Sequence, residues 1–172
     1  MANPNKRKGT AWESAVRDYL NRFLGLVDAD GTFLDPMDGR NIRRAAQEGA
    51  RDVGDVHAAP FILECKDVEK SAVPKWLRQA RIEAVHAHFP YGVVVHKTRG
   101  SGVAAGRVHF DVPTWTRVRS ALGLHPREAA ELYGVTVSAR GLGTGRWYAT
   151  VTLERFAVLL ADVRAGVSRA VR

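Results

Sequence analysis

The hydrophobic positions divide the chain into helix-like and strand-like segments. Between Thr10 and Phe23 apolar side chains recur every three or four residues, which predicts an amphipathic helix that stops near Gly25. Residues 1–9 are polar and basic, and we expect them to form a flexible arm. Residues 28–54 are rich in Gly, Asp and Arg, which predicts a long loop with a short helix around Asn41–Glu48.

The middle of the chain has the short apolar runs that are typical of β-strands. Residues 55–58 and 61–66 predict two strands joined by a tight turn at Ala59-Pro60. A helix with proline in its first turn is expected over Pro74–His88, and an apolar strand over Tyr91–His96. The later elements are a strand at Arg107–Val112, helices at Pro113–Leu122 and Pro126–Tyr133, a hairpin formed by Gly134–Ser138 and Trp147–Leu153, and a helix at Glu154–Arg164.

This order of elements predicts an α/β fold in which helices flank a mixed central β-sheet. The chain shows no internal repeat and no composition change that would mark a domain boundary. We therefore expect a single domain over residues 10–172. Its core would span residues 10–122, and residues 123–172 would add a C-terminal extension of helix and hairpin.

Charge is the property of the composition that bears most on function. The 172 residues include 26 Lys and Arg against 18 Asp and Glu, a formal net charge of +8. Such a surplus favours a polyanionic partner, above all nucleic acid, with an anionic membrane surface or simple solubility as alternatives. The single cysteine, Cys65, excludes an intrachain disulfide and a four-cysteine metal site within one chain. No apolar run is long enough to span a bilayer, so we expect a soluble, cytoplasmic protein.

Asp55, Glu64 and Lys66 form the candidate chemical site. Alternate residues of a strand share a face, so Glu64 and Lys66 point the same way. A symmetric reversal at Ala59-Pro60 pairs residues 58 and 61 and, further out, places Asp55 opposite Glu64. Adjacent carboxylates repel unless a cation lies between them, and Mg²⁺ prefers such oxygen ligands. The alternative is a surface strand on which Glu64 and Lys66 form solvated ion pairs.

Two other acidic residues leave the assignment open. Asp52 competes with Asp55, although the hairpin register favours Asp55 because Asp52 lies beyond the paired strands. Glu13 stands three residues after Thr10, which is the spacing of a capping box at a helix start. On spacing alone Glu13 is therefore predicted to cap the helix. The competing interpretation, which the motif of Asp55, Glu64 and Lys66 supports, is that Glu13 belongs to the chemical site.

The order of these motifs resembles the PD-(D/E)xK nucleases. The opening Lys8-Gly9 followed by Glu13 is similar to that of archaeal-type Holliday junction resolvases, as is the later order of Gly54-Asp55, Glu64-x-Lys66 and a helix that carries Gln79. The similarity covers residues 6–100. The chain departs from the family by having Gly54 where proline is usual, by a longer polar loop before Asp55, and by its C-terminal segment.

The resemblance implies a restriction-endonuclease-like fold and a function. Glu13, Asp55 and Glu64 would bind Mg²⁺, for which Mn²⁺ can substitute, and Lys66 would be the catalytic cation. The protein would be a homodimer that resolves four-way DNA junctions by paired nicks. Other PD-(D/E)xK nucleases, of restriction or nicking type, are the nearest alternative. Gln79 and Ser71 form a possible secondary site, with plain surface exposure as the alternative for both.

Basic residues flank these motifs in the sequence. Phosphate contacts are expected from Lys6, Arg7, Lys8, Arg43, Arg44, Arg51, Lys75 and Arg78. A non-catalytic DNA-binding protein is the alternative from another functional class, because Arg127–Val135 resembles the first helix of a helix-turn-helix motif. The β-branched residues and glycines after it leave little room for a recognition helix.

Overall fold

A computed structural model describes residues 4–45, 53–139, 141 and 143–166, with the backbone alone for residues 4–7 and 144. Its helices are α1 (Pro4–Phe23), α2 (Val73–His86), α3 (Val112–Ala121), α4 (Pro126–Tyr133) and α5 (Leu153–Ala165), and two short 3-10 turns lie at Val103–Ala105 and Thr144–Arg146. Its strands are β1 (Arg43–Arg44), β2 (Val56–Ala58), β3 (Phe61–Lys66), β4 (Tyr91–His96), β5 (Arg107–Asp111), β6 (Thr136–Ser138) and β7 (Tyr148–Thr152).

The seven strands form one mixed sheet in the order β1-β2-β3-β4-β5-β7-β6. Strands β3 and β4 are parallel and are connected through α2, whereas every other neighbouring pair is antiparallel. Helices cover both faces of the sheet, which confirms the expected α/β class with a mixed sheet. The predicted β2–β3 register is also confirmed, because residues 56, 57 and 58 pair with 63, 62 and 61.

The two faces of the sheet are covered differently. The larger core lies on one face, where β3 contributes Phe61, Leu63 and Cys65 beneath α1, α3, α4 and α5. The other face is covered mainly by α2, whose Trp76 and Leu77 pack in a smaller cluster that includes Val94 of β4. Because side chains alternate along a strand, Glu64 and Lys66 point to the α2 side.

Several expectations about local structure are wrong. The arm expected over residues 1–9 is helical from Pro4 onward, so α1 begins six residues before Thr10. The part of the predicted helix at Asn41–Glu48 that the structure describes, residues 41–45, is not helical: Arg43–Arg44 is a strand, and residues 46–52 lie outside the described part of the chain. Pairing of Arg43–Arg44 with β2 explains this difference, because hydrogen bonds between the strands satisfy the backbone N–H and C=O groups that a helix would otherwise satisfy.

The C-terminal segment belongs to the same sheet and core as the rest. Strand β7 pairs with β5, and Leu153, Phe156 and Leu160 of α5 are buried in the larger core. After α4 the chain enters β6, so no recognition helix follows the segment that resembles a helix-turn-helix motif.

None of the helices in the described ranges combines the length and the apolar character needed to cross a membrane.

The packing of α2 on β4 depends on Gly92. A Cβ atom at this position would lie 2.2 Å from the carbonyl oxygen of Ala80 and 2.6 Å from its carbonyl carbon. Both atoms belong to the α2 backbone, so neither can move aside as a flexible side chain would. The absence of a side chain at position 92 therefore sets the distance between the helix and the sheet.

We predict that Gly92→Ala lowers the free energy of unfolding by about 2 kcal/mol or more, because the added methyl group forces α2 away from β4. Denaturant unfolding measures this loss. Gly102→Ala is the matched control, since a Cβ atom there meets nothing within 4 Å. Equal stability of the two variants would show that α2 does not pack as closely on β4 as described.

Candidate active site

The candidate site lies between β3 and α2, where the chain enters β2. Gly54 precedes Asp55 with a φ of 81°, a conformation that proline cannot adopt and that other residues adopt rarely. A Cβ atom at Gly54 would also lie 2.3 Å from Cγ2 of Ile62. The glycine that departs from the family pattern is therefore required by the way the chain turns into this site.

Asp55 reaches the site through its side chain and not through strand pairing. The β2–β3 ladder ends at Val56 and Leu63, so the expected backbone pairing of Asp55 with Glu64 is not formed. Instead the N–H of Asp55 donates to the carbonyl oxygen of Leu63 at 3.2 Å. Its Oδ2 accepts a hydrogen bond from the N–H of Cys65 at 2.7 Å, and the charge of Glu64 acts on the same carboxyl group.

Glu64 and Lys66 lie together beneath α2. The Glu64 side chain is almost fully buried, and Nζ of Lys66 donates a hydrogen bond to its Oε1. The structure thus brings Asp55, Glu64 and Lys66 into one cluster, as the sequence pattern predicts. The alternative of solvated surface ion pairs is wrong for Glu64, because only 3% of this residue is exposed.

A fourth member of the cluster, Glu83 of α2, was not among the predicted site residues. It is 1% exposed and lies close enough to Glu64 for its charge to raise the pKa of the Glu64 carboxyl group. Two buried carboxyl groups that act on each other in this way repel when both are ionised, which favours a proton on one of them. The sequence does contain a sign of this role, since position 83 falls on the apolar helix face that includes Trp76 and Ala80.

Burial and mutual repulsion change the acidity of these groups. Burial, reinforced by the charge of Glu64, raises the pKa of Asp55 to about 7. Burial and the nearby Glu83 raise the pKa of Glu64 to about 7 as well, although its hydrogen bond with Lys66 acts in the opposite direction. Burial disfavours the charged form of Lys66, but Glu64 and Asp55 outweigh this effect and raise its pKa, so Lys66 is a cation.

Glu13 lies beside this cluster but forms an ion pair outside it. Trp12 fixes α1 on the sheet by donating its indole N–H to the carbonyl oxygen of Val95 at 3.0 Å. The Glu13 Oε2 atom accepts hydrogen bonds from Nη2 and Nε of Arg44 at 2.6 Å and 3.0 Å. Its charge still contributes to the raised pKa of Asp55. The capping-box interpretation is wrong, because α1 begins at Pro4 and Glu13 lies inside the helix.

The donor atoms suit a magnesium ion only in part. Two adjacent carboxylates, from Asp55 and Glu64, are the protein ligands that Mg²⁺ commonly uses together with water and phosphate. Within the ranges that the structure describes, however, no three His, Cys, Asp or Glu residues are arranged to hold a metal ion. The expected ligand set is therefore incomplete, because Glu13 is bound to Arg44.

The remaining predicted residues surround the cluster at different depths. Gln79 is half-buried on α2, one turn before Glu83, whereas Ser71 is exposed ahead of that helix. Arg44, expected to contact phosphate, is half-buried in its ion pair with Glu13. Lys8, Arg43, Lys75 and Arg78 are exposed. The side chains of Lys6 and Arg7, together with Asp52 and Arg51, lie outside the described part of the structure.

No known protein family, curated protein or solved structure matches the chain. Function is therefore inferred from the cluster of Asp55, Glu64, Lys66 and Glu83, and from the sequence motifs that contain it. The geometry offers adjacent carboxylates for a hard cation and an ammonium group beside them. A cation held by the carboxylates, together with this ammonium group, would be able to bind and polarise a phosphate ester.

We predict that the metal-free protein loses stability as the pH rises from about 5 to about 8. The pKa values of Asp55 and Glu64 are raised on folding, so the folded state retains protons that the unfolded state has released. Their contribution is present below the unfolded carboxyl pKa and is lost as the pH rises through about 7. Thermal unfolding in chelator across this pH range measures the effect.

Asp55→Asn and Glu64→Gln should each flatten this pH dependence and raise the melting temperature most at the alkaline end. Glu131→Gln is the control, because Glu131 is an exposed residue of α4. Parallel pH profiles for the wild-type protein and both site variants would contradict the described burial of these carboxyl groups.

Proposed function

We propose that the protein is a divalent-metal-dependent DNA endonuclease with a restriction-endonuclease-like fold. The observation that carries this proposal is the burial of Asp55 and Glu64 against each other, with Lys66 on the same face of β3. A protein that only binds DNA has no need for such a cluster, because carboxylates repel phosphate. Hydrolysis of a phosphodiester, in contrast, uses a metal-binding carboxylate pair with a cation beside it.

The order of elements supports the same class of enzyme. Helix α1 carries Glu13, the β2–β3 hairpin carries Asp55, Glu64 and Lys66, and α2 carries Gln79. This is the order in which the motifs of the PD-(D/E)xK nucleases occur in the resemblance described above. The net charge of +8 and the exposed Lys75 and Arg78 on α2 are consistent with a polyanionic substrate.

Each member of the cluster has a distinct part in the proposed reaction. Asp55 and Glu64 would hold Mg²⁺ or Mn²⁺, which when bound supplies an activated water and neutralises charge on the phosphate. The hydrogen bond from Cys65 orients the Asp55 carboxylate, and the hydrogen bond from Lys66 orients that of Glu64. Lys66 remains protonated beside Glu64 and is placed to donate a hydrogen bond to a phosphate oxygen.

The preferred substrate in this proposal is a four-way DNA junction cut by a homodimer. Its support is the resemblance of the opening Lys8-Gly9 and Glu13 to archaeal-type Holliday junction resolvases. Two identical sites related by a two-fold axis can nick two strands symmetrically. Another PD-(D/E)xK nuclease that cuts linear duplex is the alternative, and the choice of substrate separates the two.

We predict that DNA cleavage requires Mg²⁺ or Mn²⁺ and stops in chelator. Asp55→Asn, Glu64→Gln and Lys66→Met should each lower the cleavage rate by about 10²-fold or more, since each removes a group that acts on the reacting phosphate. DNA affinity should stay the same or improve in the two carboxylate variants. A gel assay with labelled DNA and a filter-binding assay measure the two quantities.

Glu131→Gln serves as the control for this experiment, because it removes an exposed carboxylate from α4, outside the cluster. Cleavage by metal-free protein in chelator would refute the mechanism. Full activity of Asp55→Asn and Glu64→Gln would refute the assignment of the site.

We also predict that a four-way junction is bound more tightly than linear duplex of equal length and is cut by paired nicks near the crossover. Competition binding at physiological salt, followed by mapping of the cut positions, tests this prediction. Equal affinity together with sequence-specific cutting of linear duplex would favour the restriction-type alternative.

A further inference from the structure

A polar cleft of about 560 Å³ lies between α1 and the segment that follows it. One wall is the α1 face that carries Arg17 and Asn21, and the other is formed by residues 27–44. Four arginines line the cleft, namely Arg17, Arg22, Arg43 and Arg44. The cleft is separate from the carboxylate cluster, because none of Asp55, Glu64, Lys66 or Glu83 lines it.

The walls of the cleft are held in place by specific contacts. Asn21 is 2% exposed and its amide clamps Ile42, donating to the carbonyl oxygen at 2.8 Å and accepting from the N–H at 3.0 Å. A β-bridge between Val27 and Phe33 closes the loop on the far side. The guanidinium group of Arg43 lies over the Phe33 ring at 4.7 Å, which fixes its stem while leaving the residue exposed.

The cleft carries more positive than negative charge. Its four arginines are accompanied by two acidic residues, Asp18 and Asp30, and Asp18 forms an ion pair with Arg17 at 2.7 Å. Over the described ranges, neither Arg22 nor Arg43 forms an ion pair. Nη2 of Arg43 donates to the carbonyl oxygen of Pro36 at 2.5 Å, which leaves its other N–H groups for an anion. The planar donors of Arg22 and Arg43, both exposed, suit the oxygens of phosphate.

The cleft is linked to the carboxylate cluster through one ion pair. Glu13, Arg17 and Asn21 are spaced four residues apart on α1 and form one row along the helix. Arg44 lines the cleft and also donates both hydrogen bonds to Glu13, whose charge acts on Asp55. Arg43 and Arg44 also pair with His57 and Val56, the residues that follow Asp55, so this wall of the cleft lies close to the carboxylate cluster.

We propose that this cleft binds a backbone phosphate of the nucleic acid, next to the phosphate that lies at the carboxylate cluster. The identification of the ligand as a nucleic-acid strand rests on the proposed function, whereas the affinity for phosphate rests on the cleft alone. Arg22 and Arg43 bind the phosphate oxygens, and Asn21 keeps the two walls at a fixed separation. The cleft thus anchors the strand on one side of the carboxylate cluster.

The test compares two double variants of equal charge. Arg22→Gln/Arg43→Gln removes the two cleft cations, and Arg127→Gln/Arg155→Gln removes two exposed cations from α4 and α5. Fluorescence anisotropy with labelled DNA in Ca²⁺ gives the affinity at several salt concentrations. We expect the cleft variant to bind about tenfold more weakly at 0.1 M salt and its log–log salt slope to fall by about 1–2, because fewer phosphates are neutralised by the protein. The control variant should retain the wild-type slope.

Equal salt slopes for the two double variants would overturn the proposal, because the effect would then be one of net charge. Melting temperatures of both variants are measured alongside, because Arg43 contacts Phe33 and Pro36 and Arg127 pairs with Glu131. All four arginines are exposed, so both variants should be folded at the temperature of the binding assay. A second arm adds inorganic phosphate without DNA. A rise in melting temperature at millimolar phosphate that needs Arg22 and Arg43, together with equal DNA salt slopes for the two double variants, would assign the cleft to free phosphate and overturn the strand-binding assignment.

This binding test is independent of catalysis. A cleft-specific loss of DNA affinity in a protein that shows no cleavage would support the cleft and refute the nuclease. Metal-dependent cleavage without a cleft-specific loss of DNA affinity would support the nuclease and refute the cleft. The two proposals can therefore fail separately.

Discussion

Two buried carboxyl groups, from Glu64 and Glu83, lie between β3 and α2 with the half-buried Asp55 and Lys66, and this arrangement constrains the rest of the site. Asp55, Glu64 and Glu83 cannot all be ionised there without strong repulsion, since Lys66 supplies a single positive charge. The metal-free protein meets this constraint by retaining protons on the carboxyl groups near neutral pH. A divalent cation would meet it by replacing those protons. In the proposed mechanism, binding of a metal would therefore be coupled to loss of these protons.

Local structure explains how the chain maintains such an unfavourable cluster. The turn at Gly54 directs Asp55 away from the strand ladder and onto the N–H of Cys65. The close approach of α2 to β4 at Gly92 places Glu83 above Glu64. Each of these positions requires glycine for a steric reason. The larger core on the opposite face of the sheet supplies the hydrophobic stabilisation that offsets the buried charges.

The features that the sequence predicts correctly are those that depend on short-range patterns. The β2–β3 register follows from the turn at Ala59-Pro60, and the position of Lys66 beside Glu64 follows from the alternation of strand residues. Glu83 was missed because its role depends on how α2 packs, which sequence spacing alone does not give. Helix α1 extends to Pro4 because nothing between Pro4 and Thr10 terminates it, and Gly9 within the helix proved insufficient as a break.

The ion pair between Glu13 and Arg44 could not be predicted either, because the two residues are 31 positions apart and meet only when β1 joins the sheet edge. This ion pair lies between the cluster of Asp55, Glu64 and Glu83, which suits a cation, and the arginine-lined cleft, which suits a phosphate. A nucleic-acid strand would use both regions, because the acidic residues would hold a cation at the reacting phosphate and the arginines would bind a neighbouring phosphate. The arrangement of the two regions side by side is therefore the structural basis of the proposed nuclease.

The central claim is that Asp55 and Glu64 together hold a divalent cation. Calorimetric titration of the metal-free protein with Mn²⁺ near neutral pH, in two buffers of different ionisation enthalpy, tests it most directly. We expect saturable binding that releases protons and is lost in both Asp55→Asn and Glu64→Gln, but is retained in Glu131→Gln. Mn²⁺ binding of unchanged affinity in the two site variants, or no binding by the wild-type protein, would contradict the account.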